Sequence, residues 1–192
     1  MIRFANATSC FALLLVVACS NDTPSAPSAS EVSDPGEYSS VYTDISEGNC
    51  TTIEVSEEGQ GTLQRCGGLN GMDIYVSEGD GRFTISAGQA PDHYVNWSPF
   101  NSPGANVEWR LSGETPVAII YRLKSAVSEA EYPETGRLVV ATLPSNGESG
   151  CAAYFVPDSV AAQNEIAREL ADGLPSDFDC TKQPVTYSGE EK

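Results

Sequence analysis

The sequence has few basic residues: lysine and arginine total 10, against 27 aspartates and glutamates, so the formal net charge is −17. Nucleic acid and anionic lipid headgroups would repel such a chain, because no block of basic residues interrupts this balance. We therefore expect no nucleic-acid partner. Cationic proteins or metal cations would be attracted at long range, although the same charge also keeps an exported protein soluble.

Histidine occurs once, as His93 next to Asp92. A Ser-His-Asp or Cys-His site would have to use this residue as its base, and no serine stands in a G-x-S-x-G turn. Glycine-rich phosphate-binding loops are missing as well. We expect no metal and no cofactor. Paired carboxylates of the kind found in glycosidases stay open as an alternative, because acidic residues are abundant.

A long apolar run is missing from the N-terminal region. The nine residues from Cys10 to Ala18 are too few to cross a bilayer, which takes about 20 residues. With Arg3 before the run and small residues after it, the pattern predicts a signal peptide over residues 1–18.

The end of this segment, Val16-Val17-Ala18-Cys19, resembles the bacterial lipobox, in which the cysteine is acylated and becomes the mature N-terminus. The resemblance implies a lipid anchor, palmitate included, at Cys19. The alternative is an ordinary cleavage site in which Cys19 is incidental. Ser20 follows, where aspartate would mark retention in the inner membrane, so we expect a lipoprotein of the outer membrane that faces the periplasm.

Four cysteines remain after the signal peptide and Cys19: Cys50, Cys66, Cys151 and Cys180. An even number in an exported protein predicts two disulfides, with three possible pairings. Strands Cys50–Val55 and Thr62–Cys66 flank a glycine-containing turn, and their pairing as a hairpin would place Cys50 opposite Cys66 and Ile53 opposite Leu63. We predict the bonds Cys50–Cys66 and Cys151–Cys180.

Composition divides the chain further. After Cys19, the segment up to residue 37 is rich in serine, proline and alanine, and it predicts a flexible tether over 19–37. Residues 38–180 are expected to form one domain, and residues 181–192 a disordered tail. Alternating apolar residues predict three more hairpins in that domain, formed by 72–77 with 82–87, 107–111 with 116–124, and 137–143 with 151–156.

One helix is predicted between an N-cap at Asp158 and a stop at Gly173. Helical spacing gives it an apolar face, made of Val160, Ile166, Ala167, Leu170, Ala171 and Leu174. On its other face, Arg168 is expected to pair with Glu165 and Asp172. The fold class is therefore α+β, with antiparallel β-hairpins forming a sheet and one C-terminal amphipathic helix packed on it.

A long loop is predicted over residues 88–106, with three prolines and the aromatic residues Tyr94, Trp97 and Phe100. Loops of this length are often functional. The three rings are a candidate binding surface for sugar rings or for a partner protein. The alternative is that they hold the loop on its own domain.

Several short strings together resemble a family of exported bacterial proteins of unknown function: VEWRL, PVAIIYRL, RLVVATL, the strand that begins at Cys151, and AREL-AD followed by FDC. The resemblance covers about residues 38–180. Ala152 stands where that family often has histidine. The resemblance implies export but no activity.

These observations favour a non-catalytic binding or structural module of the cell envelope. Two alternatives stay open. One is a carboxylate-based hydrolase of cell-wall material, since acidic pairs are common in this sequence. The other is an inhibitor of a cationic lysozyme, which an acidic surface would attract.

Overall fold

The computed structural model describes residues 37–57, 61–128, 130 and 134–188. The predicted signal peptide, Cys19 and the tether up to residue 36 lie outside these residues. Within them, no helix is both long and apolar enough to cross a bilayer.

The described residues form an α+β domain with mostly antiparallel strands and a single helix near the C-terminus, as the sequence predicts. The elements are β1 (Tyr38–Asp44), β2 (Cys50–Val55), β3 (Gly61–Leu69), β4 (Met72–Gly79), β5 (Arg82–Ala87), β6 (Asn101–Ser112), β7 (Thr115–Ser125), β8 (Gly136–Thr142), β9 (Ala152–Pro157), α1 (Gln163–Asp172) and β10 (Val185–Thr186).

The strands form two sheets, a division that the sequence pattern does not predict. Sheet A has the order β1-β6-β7-β8-β9-β10, and sheet B is the meander β2-β3-β4-β5. The main core lies between them. Alternation along β6 and β7 turns Val107, Trp109, Ile119 and Tyr121 toward it, and sheet B contributes Ile74, Val76 and Ile85. Burying each large apolar side chain contributes about 1.5–3 kcal/mol.

The opposite face of sheet A is covered by α1, so the domain has three layers. Ala118, Ile120, Leu138, Val140 and Val156 form a second apolar cluster with Ala167 and Ala171, and Val160, Ile166, Leu170 and Leu174 pack against it. The predicted apolar face of the helix is therefore confirmed.

The predicted helix start is wrong. Residue Ala162 occupies the N-cap with φ 55° and provides no side-chain cap, whereas Asp158 accepts a hydrogen bond from the Thr135 hydroxyl. That bond occupies the side chain that was expected to cap the helix. At the other end Gly173 terminates α1 as predicted, but with φ −88° and not in a left-handed conformation.

Two β-bulges change the predicted registers. Cys50 does lie opposite Cys66, but a shift at Ile53 places Glu54 opposite Leu63. In sheet A, strict alternation predicts Tyr121, Ile119 and Val117 as the partners of Val107, Trp109 and Leu111. The first two pairs are present, whereas a shift after Arg110 places Leu111 opposite Pro116. Bulges add one residue to one strand and leave the alternation on each side intact, so they are invisible in the hydrophobic pattern.

Both predicted disulfides are present. The Cα atoms are 4.1 Å apart in Cys50–Cys66 and 5.7 Å apart in Cys151–Cys180.

The expected disordered tail is wrong for the part of it that is described. Val185 and Thr186 pair in parallel with Tyr154 and Phe155 of β9, and Tyr187 packs against the cluster under α1. Residues 189–192 lie outside the described residues.

Candidate functional site

The loop between β5 and β6 is shorter than predicted, because β6 begins at Asn101. Hydrogen bonds from Asp92 and Val95, near the middle of the loop, hold it on the domain. The Val95 amide donates to Thr84 Oγ1 over 2.8 Å on β5. The Asp92 amide donates to the Ser149 hydroxyl oxygen over 2.7 Å, and the Ser149 amide donates to the Asp92 carboxylate over 3.1 Å. The loop is therefore anchored to β5 and to the β8–β9 connection.

The structure separates the three aromatic side chains that were predicted to share one surface. Trp97 is 2% exposed, whereas Tyr94 is 71% and Phe100 49% exposed. The prediction of a three-ring binding surface is wrong for Trp97, because its ring belongs to the core between the sheets. Phe100 lies beside Arg82, whose guanidinium carbon is 4.9 Å from the ring centroid. Tyr94 is therefore the most exposed of the three aromatic side chains.

Trp97 covers a buried cation. The Arg137 guanidinium carbon lies 4.5 Å from the ring centroids of both Trp97 and Phe155, and two of its nitrogens donate to the Glu134 carboxylate over 2.6 Å each. Cation–π contacts and a bidentate ion pair together compensate a buried charge. The sequence holds no local sign of this arrangement, because Arg137 is 40 residues from Trp97.

Tyr94 lines two grooves at once, and we call this feature the Tyr94 ridge. The first, the acidic groove, has a volume of about 290 Å³ and is lined by Tyr94, Glu54, Ser56, Thr62, Leu63, Ser77, Glu78, Gly61, Ala90 and Pro91. The second, the histidine groove, has about 260 Å³ and is lined by Tyr94, Asp92, His93, Asn96, Cys151, Ala152, Cys180, Lys182, Gln183 and Pro184.

The acidic groove lies on the outer face of sheet B. The shift at Ile53 turns Glu54 to the same face as Leu63, and Glu54 is exposed. Glu78 Oε1 accepts a 2.8 Å hydrogen bond from the Gly81 amide, which holds its carboxylate in the turn between β4 and β5. The groove thus combines the Glu54 carboxylate, the Ser77 hydroxyl group and one aromatic face.

The histidine groove does not contain a catalytic dyad. Asp92 is bonded to Ser149, and among the described residues no hydrogen bond joins it to His93. His93 is half-buried at the groove wall. Its neighbour Lys182 lies 3.9 Å from the Asp179 carboxylate.

A second polar cluster, the interlayer network, lies between α1 and sheet A. Arg110 donates to the Asp172 carboxylate through Nε and Nη2, over 2.8 and 2.7 Å. Arg168 donates to Glu108 over 2.6 Å and to the Tyr42 hydroxyl over 3.0 Å. The predicted pairing of Arg168 with Glu165 and Asp172 is therefore wrong. Arg168 and Asp172 each bind a partner on β6.

These contacts decide the ionisation of Glu108. Burial alone would raise its pKa, but hydrogen bonds from Arg168 and Ser40 and the Arg168 charge outweigh burial and hold the pKa of Glu108 below its usual value. A carboxyl group that stays ionised in this way is a poor general acid. Glu108, the one acidic residue that is buried among the described residues, therefore acts as an ion-pair partner that joins α1 to sheet A.

Metal binding receives no support from the described part of the chain, where no three or more histidine, cysteine, aspartate or glutamate side chains are grouped to hold an ion.

The chain matches no protein-family model, no curated protein and no solved structure. The resemblance to a family of exported proteins therefore stays a prediction.

Proposed function

We propose that the protein is a lipid-anchored, non-catalytic binding module of the bacterial cell envelope, and that it binds glycan chains across the Tyr94 ridge. One observation carries the proposal: the aromatic side chain most exposed in the described residues stands between two grooves. An extended ligand could lie in both grooves and cross the ring between them.

The chemistry of the ridge fits a sugar. An exposed tyrosine offers a rigid apolar face at low entropic cost, with a hydroxyl group at its tip. Glu54 supplies a carboxylate group beside that ring, and Ser56 and Ser77 supply hydroxyl groups. Sugar hydroxyls would donate to the Glu54 carboxylate, while the apolar face of a sugar ring would pack on Tyr94.

The test compares two exposed tyrosines. Full-length wild type, Tyr94→Ala and Tyr38→Ala are incubated with purified cell-wall glycan, and the bound fraction is measured by sedimentation. Tyr38 is 42% exposed and lines neither groove. We expect Tyr94→Ala to weaken binding roughly tenfold, since truncating a central aromatic contact costs 1–2 kcal/mol or more, and Tyr38→Ala to bind like wild type.

Wild type that fails to bind any glycan, or equal binding by all three proteins, would contradict the proposal. Circular dichroism checks that Tyr94→Ala is folded, which its 71% exposure leads us to expect.

A cationic protein such as a lysozyme is the second candidate partner, because Glu54 is exposed in the acidic groove and the net charge is −17. Steering by charge weakens with added salt. Inhibition of lysozyme at low salt that disappears on Glu54→Gln would favour this partner over a glycan.

The hydrolase alternative has less support. Glu108, Glu134 and Asp172 are bound to arginines, and the Asp92 carboxylate accepts a hydrogen bond from the Ser149 amide. Release of soluble fragments from cell-wall material by the purified protein would revive it.

The anchor is tested separately from the ridge. Cys19→Ala is expected to abolish incorporation of labelled fatty acid and to release the protein from membranes. Persistent labelling of this variant would contradict lipidation at Cys19 without bearing on the Tyr94 ridge.

A further inference from the structure

A third groove, on the opposite face of sheet A from the core, contains basic side chains in an otherwise acidic molecule. It is open, has a volume of about 270 Å³ and is lined by residues that include Tyr42, Asn106, Glu108, Arg122, Lys124 and Asn164. We call it the cationic groove. Neither Arg122 nor Lys124 was singled out by the sequence pattern.

Arg122 and Lys124 differ from every other lysine and arginine that the structure describes. Each of the others lies within ion-pair distance of a carboxylate: Arg65 with Asp73, Arg82 with Asp80, Arg110 with Asp172, Arg137 with Glu134, Arg168 with Glu108, and Lys182 with Asp179. Among the described residues, Arg122 and Lys124 have no such partner. Two positive charges without a carboxylate partner therefore line one groove.

Arg122 is held in place without being neutralised. Its Nη1 donates to Gln163 Oε1 over 2.9 Å, and Gln163 Nε2 donates to the Val156 carbonyl over 2.7 Å. An amide fixes the guanidinium but brings no negative charge, so the cation stays available for an anion. Lys124 lies two residues further along β7 and is exposed; two-residue spacing puts both side chains on the same face of the strand.

The backbone opposite Arg122 leaves the groove open. The pairing of β6 with β7 shifts between Pro103 and Val107, so that residues 104–106 bulge out across from Arg122. A Cβ atom on Gly104 would lie 3.3 Å from Cβ of Arg122, so any other residue there would crowd the arginine. The bulge also brings the Asn106 side chain to the wall.

Glu108 does not cancel these charges, because its carboxylate is bonded to Arg168 and Ser40. On the opposite wall, Asn164 belongs to the first turn of α1, whose N-cap residue Ala162 provides no side-chain bond. The amide groups of this first turn add partial positive charge on that side, and Glu165 in the same turn partly offsets it.

We propose that the cationic groove binds a phosphate group, with the Arg122 guanidinium and the Lys124 ammonium as its charged ligands. Guanidinium matches two phosphate oxygens, and an ammonium group adds a point charge. The same chemistry could come from a soluble phosphate ester or from a phospholipid headgroup, and the experiment separates these sources.

In the first arm, ¹⁵N-labelled full-length protein in neutral detergent is titrated with sodium phosphate at constant ionic strength. We expect saturable shifts of the Asn106 and Lys124 amide signals. Lys124→Gln should weaken the apparent phosphate affinity roughly tenfold, as for loss of one charge-assisted contact. Addition of Arg122→Gln should abolish binding.

The matched control is Lys182→Gln, which removes one exposed lysine outside the cationic groove and should bind phosphate like wild type. Because Lys124 is exposed, Lys124→Gln tests the proposal even if the Arg122 variant fails to fold. Shifts that do not saturate, or the same loss of affinity in Lys182→Gln, would overturn the proposal.

In the second arm, sedimentation with phosphatidylglycerol vesicles is compared with phosphatidylcholine vesicles, using full-length Cys19→Ala protein to remove the predicted anchor. Saturable phosphate binding without vesicle binding would identify the ligand of the cationic groove as a soluble phosphate ester. Sedimentation that requires phosphatidylglycerol and is lost in Lys124→Gln assigns a headgroup. If neither arm shows binding that depends on Lys124, the proposal is wrong.

Discussion

Two adjacent glycines in β3 have very different surroundings. A Cβ atom on Gly68 would overlap the carbonyl oxygen of Met72, whereas one on Gly67 would have nothing within 4 Å. The difference arises because β3 and β4 shift register between Cys66 and Leu69, which brings the two backbones together at Gly68. The sequence shows only two consecutive glycines, without this distinction.

We predict that Gly68→Ala lowers the free energy of unfolding by about 3 kcal/mol, since a methyl group against a backbone carbonyl forces the strands apart. Gly67→Ala adds the same methyl group and should change it by less than about 1 kcal/mol. Urea denaturation of both variants measures the difference. Similar values for the two would show that the close approach of β3 and β4 is mistaken.

Single side chains also show where interpretation of the sequence failed at the site. The loop was predicted at the right place in the chain but too long, and Trp97 was grouped with Tyr94 and Phe100 as a candidate binding surface because all three rings lie in it. The burial of Trp97 depends on Arg137 and Phe155, which are distant in sequence. By contrast, the sequence alone could have predicted that Arg122 and Lys124 share one face of a strand. They are two residues apart, with no acidic residue between them.

The helix α1 joins sheet A through an apolar face and an ionic edge, and only the first could be predicted. Residues at helical spacing identify the apolar face, because that information is local. Arg168 and Asp172 meet Glu108 and Arg110 across 60 and 62 residues of chain. Strand β1 provides Ser40 and Tyr42 to the same network, although its polar sequence gave no sign of a strand.

We predict that the interlayer network makes stability depend on acid pH. The pKa of Glu108 is lowered in the folded protein, so its stabilising contribution is complete above its unfolded value of about 4.5 and is lost as the pH falls below it. The pKa values of Asp44 and Asp179 are lowered too, by hydrogen bonds from Ser46 and Thr181. These two acids therefore add to the decrease in stability at acid pH.

Glu108→Gln should therefore lower the free energy of unfolding by about 2 kcal/mol at pH 7, because Arg168 loses its buried partner, and by less at pH 3.5. Urea denaturation at both pH values measures this change. Glu165→Gln, an exposed substitution on the same helix, is the control and should match wild type. A loss for Glu108→Gln that is equal at both pH values would contradict the assigned role.

For the whole molecule, the two disulfides close separate parts of the fold. Cys50–Cys66 ties β2 to β3, and Cys151–Cys180 joins the start of β9 to the segment that leads into β10, with a sequence separation of 29 residues. The second bond therefore encloses α1 and fixes where the C-terminal segment returns to sheet A. Pairing of Val185 and Thr186 with β9 follows five residues after Cys180.

We predict that Cys151→Ala/Cys180→Ala lowers the free energy of unfolding by about 3–4 kcal/mol, as expected for a closed loop of this length. It should also remove the hydrogen-exchange protection of the Tyr187 amide, which donates to the Phe155 carbonyl over 2.8 Å. Cys50→Ala/Cys66→Ala is the control: it should cost about 3 kcal/mol by the same relation but leave that protection in place.

Retained protection in Cys151→Ala/Cys180→Ala would mean that β10 is held by its own strand pairing and by Tyr187, without help from the disulfide.

The burial of Trp97 has an optical consequence. The chain has two tryptophans, and Trp109 lies in the sheet core, where its Nε1 donates to Thr43 Oγ1 over 2.9 Å. Trp97 lies in the loop that carries Tyr94 and contacts a guanidinium through its ring. In a Trp109→Phe variant, Trp97 would be the single indole fluorophore, and its emission would report any change in the packing of this loop when a ligand binds at Tyr94.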